Sequence, residues 1–152
     1  RLLQSTNRLL YENTAAHAYV TLFFAEFDDN TRSLRYANCG HPSALLLRGN
    51  DQLDRLHSTA PVLGRAESWT CEIGECDLSS GDTLAVFTDG VTEAQDTAGQ
   101  LFERDGCMAV LGGLATRPVS ELVDGLIGAV LAFEAGGEPS DDLTVLALRR
   151  RV

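Results

Sequence analysis

The sequence predicts an α+β layered fold, in which a run of strands gives way to helices and then to one returning strand. Three observations carry this reading. Short apolar runs bounded by turn residues follow one another as far as Thr88. Beyond Gly90 the apolar residues recur at helical spacing instead. The run from Leu143 to Leu148 is once more short, almost uninterrupted and strand-like. Strands and helices are thus segregated rather than alternating as βαβ units.

The elements follow in order. Leu2, Leu3, Leu9 and Leu10 mark one face of a helix over residues 2–11. Strands are predicted over residues 19–27, 33–38 and 44–48. Asp28-Asp29-Asn30-Thr31 supplies a hairpin turn between the first two. Residues 70–78 and 83–88 are read as a further strand pair, joined by Ser79-Ser80-Gly81-Asp82. A short helix is expected over residues 104–111. A longer one carries Val119, Leu122, Val123, Leu126, Ile127, Val130 and Leu131, with Pro118 at its start and Gly136-Gly137 past its end. The loop Glu138-Pro139-Ser140 then leads into the last strand. No internal repeat, low-complexity tract or linker interrupts the chain.

Bulk properties narrow the function. A chain of 152 residues can bury a real core, so it is one domain or a large part of one. Its formal net charge of −10 argues against a nucleic-acid partner, which selects basic surfaces. No apolar stretch approaches the roughly 20 residues of a bilayer span, and no signal peptide is visible. Cys39, Cys71, Cys76 and Cys107 form no C-x-x-C pair, which argues against structural zinc. Reduced, mostly buried thiols in a cytoplasmic protein are expected, with a Cys71–Cys76 pair as the alternative. Arg1 is not an initiator methionine, and the first helix begins at the boundary. The chain is therefore expected to be a piece of something longer.

Two aspartates stand out. Asp89 follows one apolar run in Thr88-Asp89-Gly90-Val91-Thr92-Glu93, and Asp141 opens Asp141-Asp142-Leu143-Thr144 just before another. If those strands are antiparallel neighbours, both acids reach the same sheet edge. Hard cations such as Mg²⁺ and Mn²⁺ favour such oxygen clusters. The competing reading makes them turn aspartates that cap nearby N–H groups. Gly90 permits a sharp turn and leaves room beside an ion. Thr88 and Thr144 either hydrogen-bond a carboxylate or simply favour strands. Glu93 reads as a first-turn helix acid, with a remote contact to metal or water as the alternative. His41, in Asn38-Cys39-Gly40-His41-Pro42, invites a general-acid role, because histidine as a residue type changes charge near neutral pH. Its alternative is a structural hydrogen bond. His17 and His57 look like surface residues. No Gly-rich phosphate loop, H-E-x-x-H or G-x-S-x-G occurs.

Four segments in this order resemble the SpoIIE/RsbU-type Ser/Thr phosphatase domain of the metal-dependent, protein phosphatase 2C-like (PPM) family. They are Tyr36-Ala37-Asn38-Cys39-Gly40-His41-Pro42, Gly81-Asp82, Thr88-Asp89-Gly90-Val91-Thr92-Glu93-Ala94 and Asp141-Asp142-Leu143-Thr144. The similarity covers almost the whole chain. One departure is plain: the family's Asp-Val-x-Gly-His/Lys-Gly segment, whose aspartate bridges two metal ions, does not occur in residues 1–152.

The resemblance implies an α-β-β-α sandwich with antiparallel sheets, represented here by its C-terminal portion. It implies Mn²⁺ or Mg²⁺, two ions in the intact domain, with Asp89 and Asp141 as ligands of the second. Asp142 would be an outer partner through water. The reaction would be hydrolysis of phosphoserine or phosphothreonine by water activated at the metals, without a phospho-enzyme. The substrate would be a phosphorylated STAS-type anti-anti-sigma factor in bacterial partner switching, under upstream sensor or receiver domains. Lacking the bridging aspartate, the fragment is expected to be weakly active or inactive. Self-association through an edge exposed by the missing segment is expected, or trimming from a longer chain. Two other readings stay open: a non-catalytic PPM-fold interaction module, and a hydrolase whose acids work as general acid and base without metal.

Overall fold

The computed structural model describes residues 1–42, 44–49, 52–135 and 141–151. Its elements in chain order are α1 (Leu2–Asn13), β1 (Leu22–Asp28), β2 (Ser33–Cys39), β3 (Ala44–Leu47), β4 (Leu53–Leu56), β5 (Gly74–Asp77), β6 (Thr83–Phe87), α2 (Asp89–Thr92), α3 (Glu103–Gly113), α4 (Val119–Phe133) and β7 (Val145–Arg149). They fall into two compact units, Arg1–Ser43 with Leu56–Leu78, and Ala44–Arg55 with Ser79–Val152.

The first unit holds α1 and a three-stranded antiparallel sheet in the order β1-β2-β5. The β1–β2 connection is the hairpin predicted at Asp28-Asp29-Asn30-Thr31. Asp28 Oδ1 accepts the Asn30 N–H at 2.9 Å, an Asx turn. That hydrogen bond is the largest cause holding the Asp28 carboxyl below its ordinary range. The β1 strand begins at Leu22 rather than at residue 19, because Val20 makes only an isolated bridge to Leu63. Helix α1 contradicts the predicted leucine face. Leu2 and Leu9 are 67% and 63% exposed, whereas Leu3 and Leu10 pack on a core of Ala37, Cys39, Ala60, Leu63 and Trp69. Between them on that face lies buried Asn7, whose carboxamide donates to Ala66 O and accepts the Gly64 N–H. A polar anchor therefore occupies the centre of the inward stripe.

The second unit holds a four-stranded sheet, β4-β3-β6-β7, with α2, α3 and α4. Helix α4 packs on β7 and on α3. Its buried residues Leu122, Leu126 and Val130 recur every fourth position and join Leu45, Leu47, Ala85, Phe87, Val91 and Leu111 in one core. Fully burying a leucine is worth about 1.5–3 kcal/mol, so this core is the main stabiliser of the unit. Strand β7 is an edge strand, and its outward Leu146 and Leu148 are 54% and 50% exposed.

Two expectations fail here. Residues 70–78 and 83–88 do not pair with each other. Only Gly74–Asp77 is a strand, and it pairs with β2, whereas β6 pairs with β3 and β7. Ser79-Ser80-Gly81-Asp82 is a crossover between sheets rather than a hairpin. Strand β4 was absent from the prediction, because Leu53-Asp54-Arg55-Leu56 is half charged. Its Asp54 carboxylate accepts the Arg48 Nε–H at 2.7 Å instead of facing solvent alone. The predicted Gly136-Gly137 stop and the Glu138-Pro139-Ser140 loop lie outside the described residues. No disulfide links Cys71 to Cys76, and only Cys39 and Cys107 of the four cysteines are buried.

Candidate functional site

Strands β6 and β7 are antiparallel, with Phe87 opposite Val145. The ladder continues one step further, since the Thr88 N–H donates to Thr144 O at 3.1 Å. The end of β6 and the start of β7 therefore share one sheet edge. Thr88 fastens them a second time. Its hydroxyl donates to Asp142 O at 2.9 Å and accepts the Thr144 N–H at 3.0 Å. Neither threonine hydroxyl engages an aspartate side chain in these bonds. Thr88 is a backbone clasp, a role that its strand propensity alone did not reveal.

The chain then turns into α2, with Thr88 as its N-cap and Asp89 in its first turn. Gly90 and Val91 are buried while Asp89 is exposed. Gly90 is required by proximity. A Cβ at this position would stand 2.6 Å from Asp142 O and 3.1 Å from Asp142 C, inside contact distance of rigid backbone. Glu93 ends α2 rather than starting a helix, and its N–H donates to Asp89 O at 2.7 Å. The predicted first-turn role belongs to Asp89 itself.

Asp89, Asp141 and Asp142 are all exposed. Asp141 Oδ1 accepts the Asp142 N–H at 2.7 Å. Among the described residues, the Asp89 and Asp142 carboxylates receive no hydrogen bond, and no cation pairs with any of the three. The contrast with Asp82, at the other end of β6, is informative. Asp82 is 3% exposed and accepts hydrogen bonds from Arg48 Nη1 at 2.9 Å, Gly49 N at 3.0 Å and Ser79 N at 3.0 Å. One acid of β6 is therefore structural and fully engaged, while the other is left open to solvent. The motif Gly81-Asp82 signalled a special position but not this role.

The donor set fits a hard divalent ion in chemistry: exposed carboxylate oxygens, beside a glycine that adds no side-chain bulk. It is sparse in number, since no three His, Cys, Asp or Glu side chains converge among the described residues. His41 lies in the first unit. Its N–H donates to Asn38 Oδ1 at 2.9 Å, and its Nδ1 is 3.2 Å from Thr21 Oγ1. Asn38 is itself fully buried, and its backbone O accepts from Ser58, Thr59 and Ala60. The Asn38-Cys39-Gly40-His41 turn is thus a hydrogen-bonded corner, with Gly40 at φ +69° and no room for a Cβ beside Val62. His17 and His57 are exposed, as expected. No helix among the described residues is long and apolar enough to cross a membrane.

Comparison with known proteins bears on this arrangement. The family model "Stage II sporulation protein E (SpoIIE)" matches residues 1–151. Protein IcfG of Synechocystis sp. is 30% identical over 132 residues, which is 87% of this chain and 21% of that protein. Phosphoserine phosphatase RsbU of Bacillus subtilis (strain 168) is 26% identical over 153 residues, 100% of this chain and 45% of RsbU. The chain thus spans less than half the length of these relatives. The phosphatase domain of the cell fate determinant SpoIIE from Bacillus subtilis, solved after presoaking with Mn, superimposes with a TM-score of 0.74 at 23% identity. That match covers 98% of this chain and 65% of that one, and it shows a shared fold. The mixed helical and antiparallel architecture is that of this phosphatase domain, and the chain belongs to the SpoIIE family.

Proposed function

We propose that this chain is the C-terminal portion of a metal-dependent protein phosphatase acting on phosphoserine or phosphothreonine, and that Asp89 and Asp141 hold Mn²⁺ or Mg²⁺. The observation that supports the reading most is the close approach of Gly90 to the Asp141–Asp142 backbone, beside acids without cationic partners. Two carboxylates brought to one edge without a counter-charge repel each other, and a divalent ion relieves that repulsion. Asp89 and Asp141 supply oxygen donors, Thr88 fixes the spacing of their strands, and Asp142 stands ready to bond through water. When bound, the ion would neutralise the phosphate dianion and acidify water for attack. His41 remains a positioning group of its own turn in this reading.

The substrate proposed is a phosphorylated anti-anti-sigma factor of STAS type in a bacterial partner-switching pathway, in the cytoplasm, under upstream sensor or receiver domains. RsbU, a phosphoserine phosphatase by name, supports the phosphoprotein class. Two acids alone make a weak ion site, and the bridging aspartate of the family is expected from a segment upstream of Arg1. One observation favours the alternative of a non-catalytic interaction module: the absence of a three-ligand cluster among the described residues.

Turnover of a phosphoserine-bearing STAS-domain protein separates the two. This chain and a version extended upstream through the Asp-Val-x-Gly segment are assayed with and without Mn²⁺. The phosphatase reading expects background turnover from the short chain and Mn²⁺-dependent turnover from the long one. A long version that binds the phosphoprotein but releases no phosphate supports the interaction module instead.

A further inference from the structure

The four cysteines are not equivalent, and two of them share one packed cluster. Cys39 ends β2 and is fully buried beside Ala60, with which it forms an isolated bridge. The chain after Trp69 returns along the same corner, where the Glu72 N–H donates to Thr59 O at 3.1 Å. Cys71 is consequently packed on the cluster that contains Cys39 and stays partly open to solvent. The Cys71 thiol donates to Glu72 O at 3.1 Å, and it lies near enough to Cys39 to act with burial in raising that thiol. Cys76, the nearer cysteine in sequence, lies on β5 and pairs across the sheet with Leu34. The topology therefore selects a partner 32 positions away over one five positions away.

We propose that Cys39 and Cys71 form a reversible intramolecular disulfide when the protein meets hydrogen peroxide. Cys71, the accessible member, attacks the peroxide to give a sulfenic acid and one water. The Cys39 sulfur then attacks that sulfur, expelling a second water and forming the S–S bond. The two thiols together lose two protons and two electrons, which reduce one peroxide to two waters. A small dithiol reverses the step by exchange. Bond formation needs the sulfurs about 2.05 Å apart, and Cys71 already packs on the cluster that contains Cys39.

Burial suits Cys39 to the second role. Burial raises the Cys39 thiol to about 11, so it is a poor first target for oxidant, and it belongs to the cluster on which Cys71 packs. Cys107, raised to about 12 by burial, has no such neighbour and stays inert. The bond would tie the end of β2 to the segment at residue 71. It would thus clamp the Asn38-Cys39-Gly40-His41 corner and close a large loop, which constrains the unfolded chain.

The test is thiol counting and peptide mapping of the protein before and after stoichiometric hydrogen peroxide, under non-reducing conditions. Free thiols are expected to fall from four per chain by two, with a cross-linked Cys39–Cys71 peptide two hydrogens lighter than its parts. The Tm is expected to rise by about 5 °C and to return with dithiothreitol. Cys76→Ser leaves the cross-link intact. Cys71→Ser, at a partly exposed position that tolerates change, abolishes both the cross-link and the Tm shift. A Cys71–Cys76 peptide, cross-links between chains, or four free thiols after treatment would overturn the proposal.

Discussion

The Cα of Gly90 lies so close to Asp142 that a β-carbon there would stand 2.6 Å from the Asp142 carbonyl oxygen. This contact joins the two acid-bearing segments more tightly than the sheet ladder alone requires. Beside it is the clasp made by the Thr88 hydroxyl. Both features sit where β6 ends and β7 begins, and both leave exposed carboxylates without a cationic partner among the described residues.

Gly90→Ala is the sharpest structural test of that contact. Rigid backbone on the other side cannot yield as a flexible side chain would. The variant is expected to lose about 1–3 kcal/mol of stability by denaturant unfolding, the range of overpacked sites. A neutral result would mean that the 141–142 segment moves freely and fixes nothing.

Thr88→Val keeps the shape and removes the hydroxyl. The Thr144 N–H and Asp142 O lose their side-chain partner at a partly solvated edge, so a loss of about 1–2 kcal/mol is expected. Thr88→Ser should recover most of it. Equal losses in the two variants would assign the effect to packing instead of the clasp.

Arg48→Ala tests the opposite end of β6. Arg48 bonds both Asp54 and nearly buried Asp82, so its removal leaves Asp82 with backbone donors but no counter-charge. A loss of about 1–3 kcal/mol is expected at neutral pH. The hydrogen bond from Arg48 is also the main cause holding the Asp54 carboxyl below its ordinary 3.8. That lowered value contributes stability above pH 3.8, and the contribution fades as pH falls through the lower folded value. Because Asp54 is partly exposed, the effect is small and salt-sensitive. Acid titration followed by circular dichroism should show the native protein losing this increment below pH 4, and Arg48→Ala lacking it.

Much of this was legible in the sequence, and the losses have physical reasons. The β6 and β7 strands were readable because they are continuous apolar runs, and α4 because its apolar residues repeat at helical spacing. The β5 partner was misread because the turn signal Ser79-Ser80-Gly81-Asp82 resembles a hairpin. Only the burial of Asp82, with its three donors, reveals it as a crossover anchor. Strand β4 escaped notice because Asp54 and Arg55 hide its apolar ends. Helix α1 misled in the other direction, since its core position is Asn7, a polar residue that only long-range partners explain. At the site, the order of motifs singled out Asp89, Gly90 and Asp141. Thr88 was undervalued because a threonine at a strand end needs no special reason to be there.

Isothermal titration of Mn²⁺ into the wild-type chain, Asp89→Asn and Asp141→Asn tests the central claim most directly. Both positions are exposed, so each variant should fold with stability within about 0.5 kcal/mol of wild type. The account predicts saturable binding by the wild type, weak but measurable, and a loss of at least about tenfold in affinity for either variant. Equal Mn²⁺ affinity in all three proteins would contradict it.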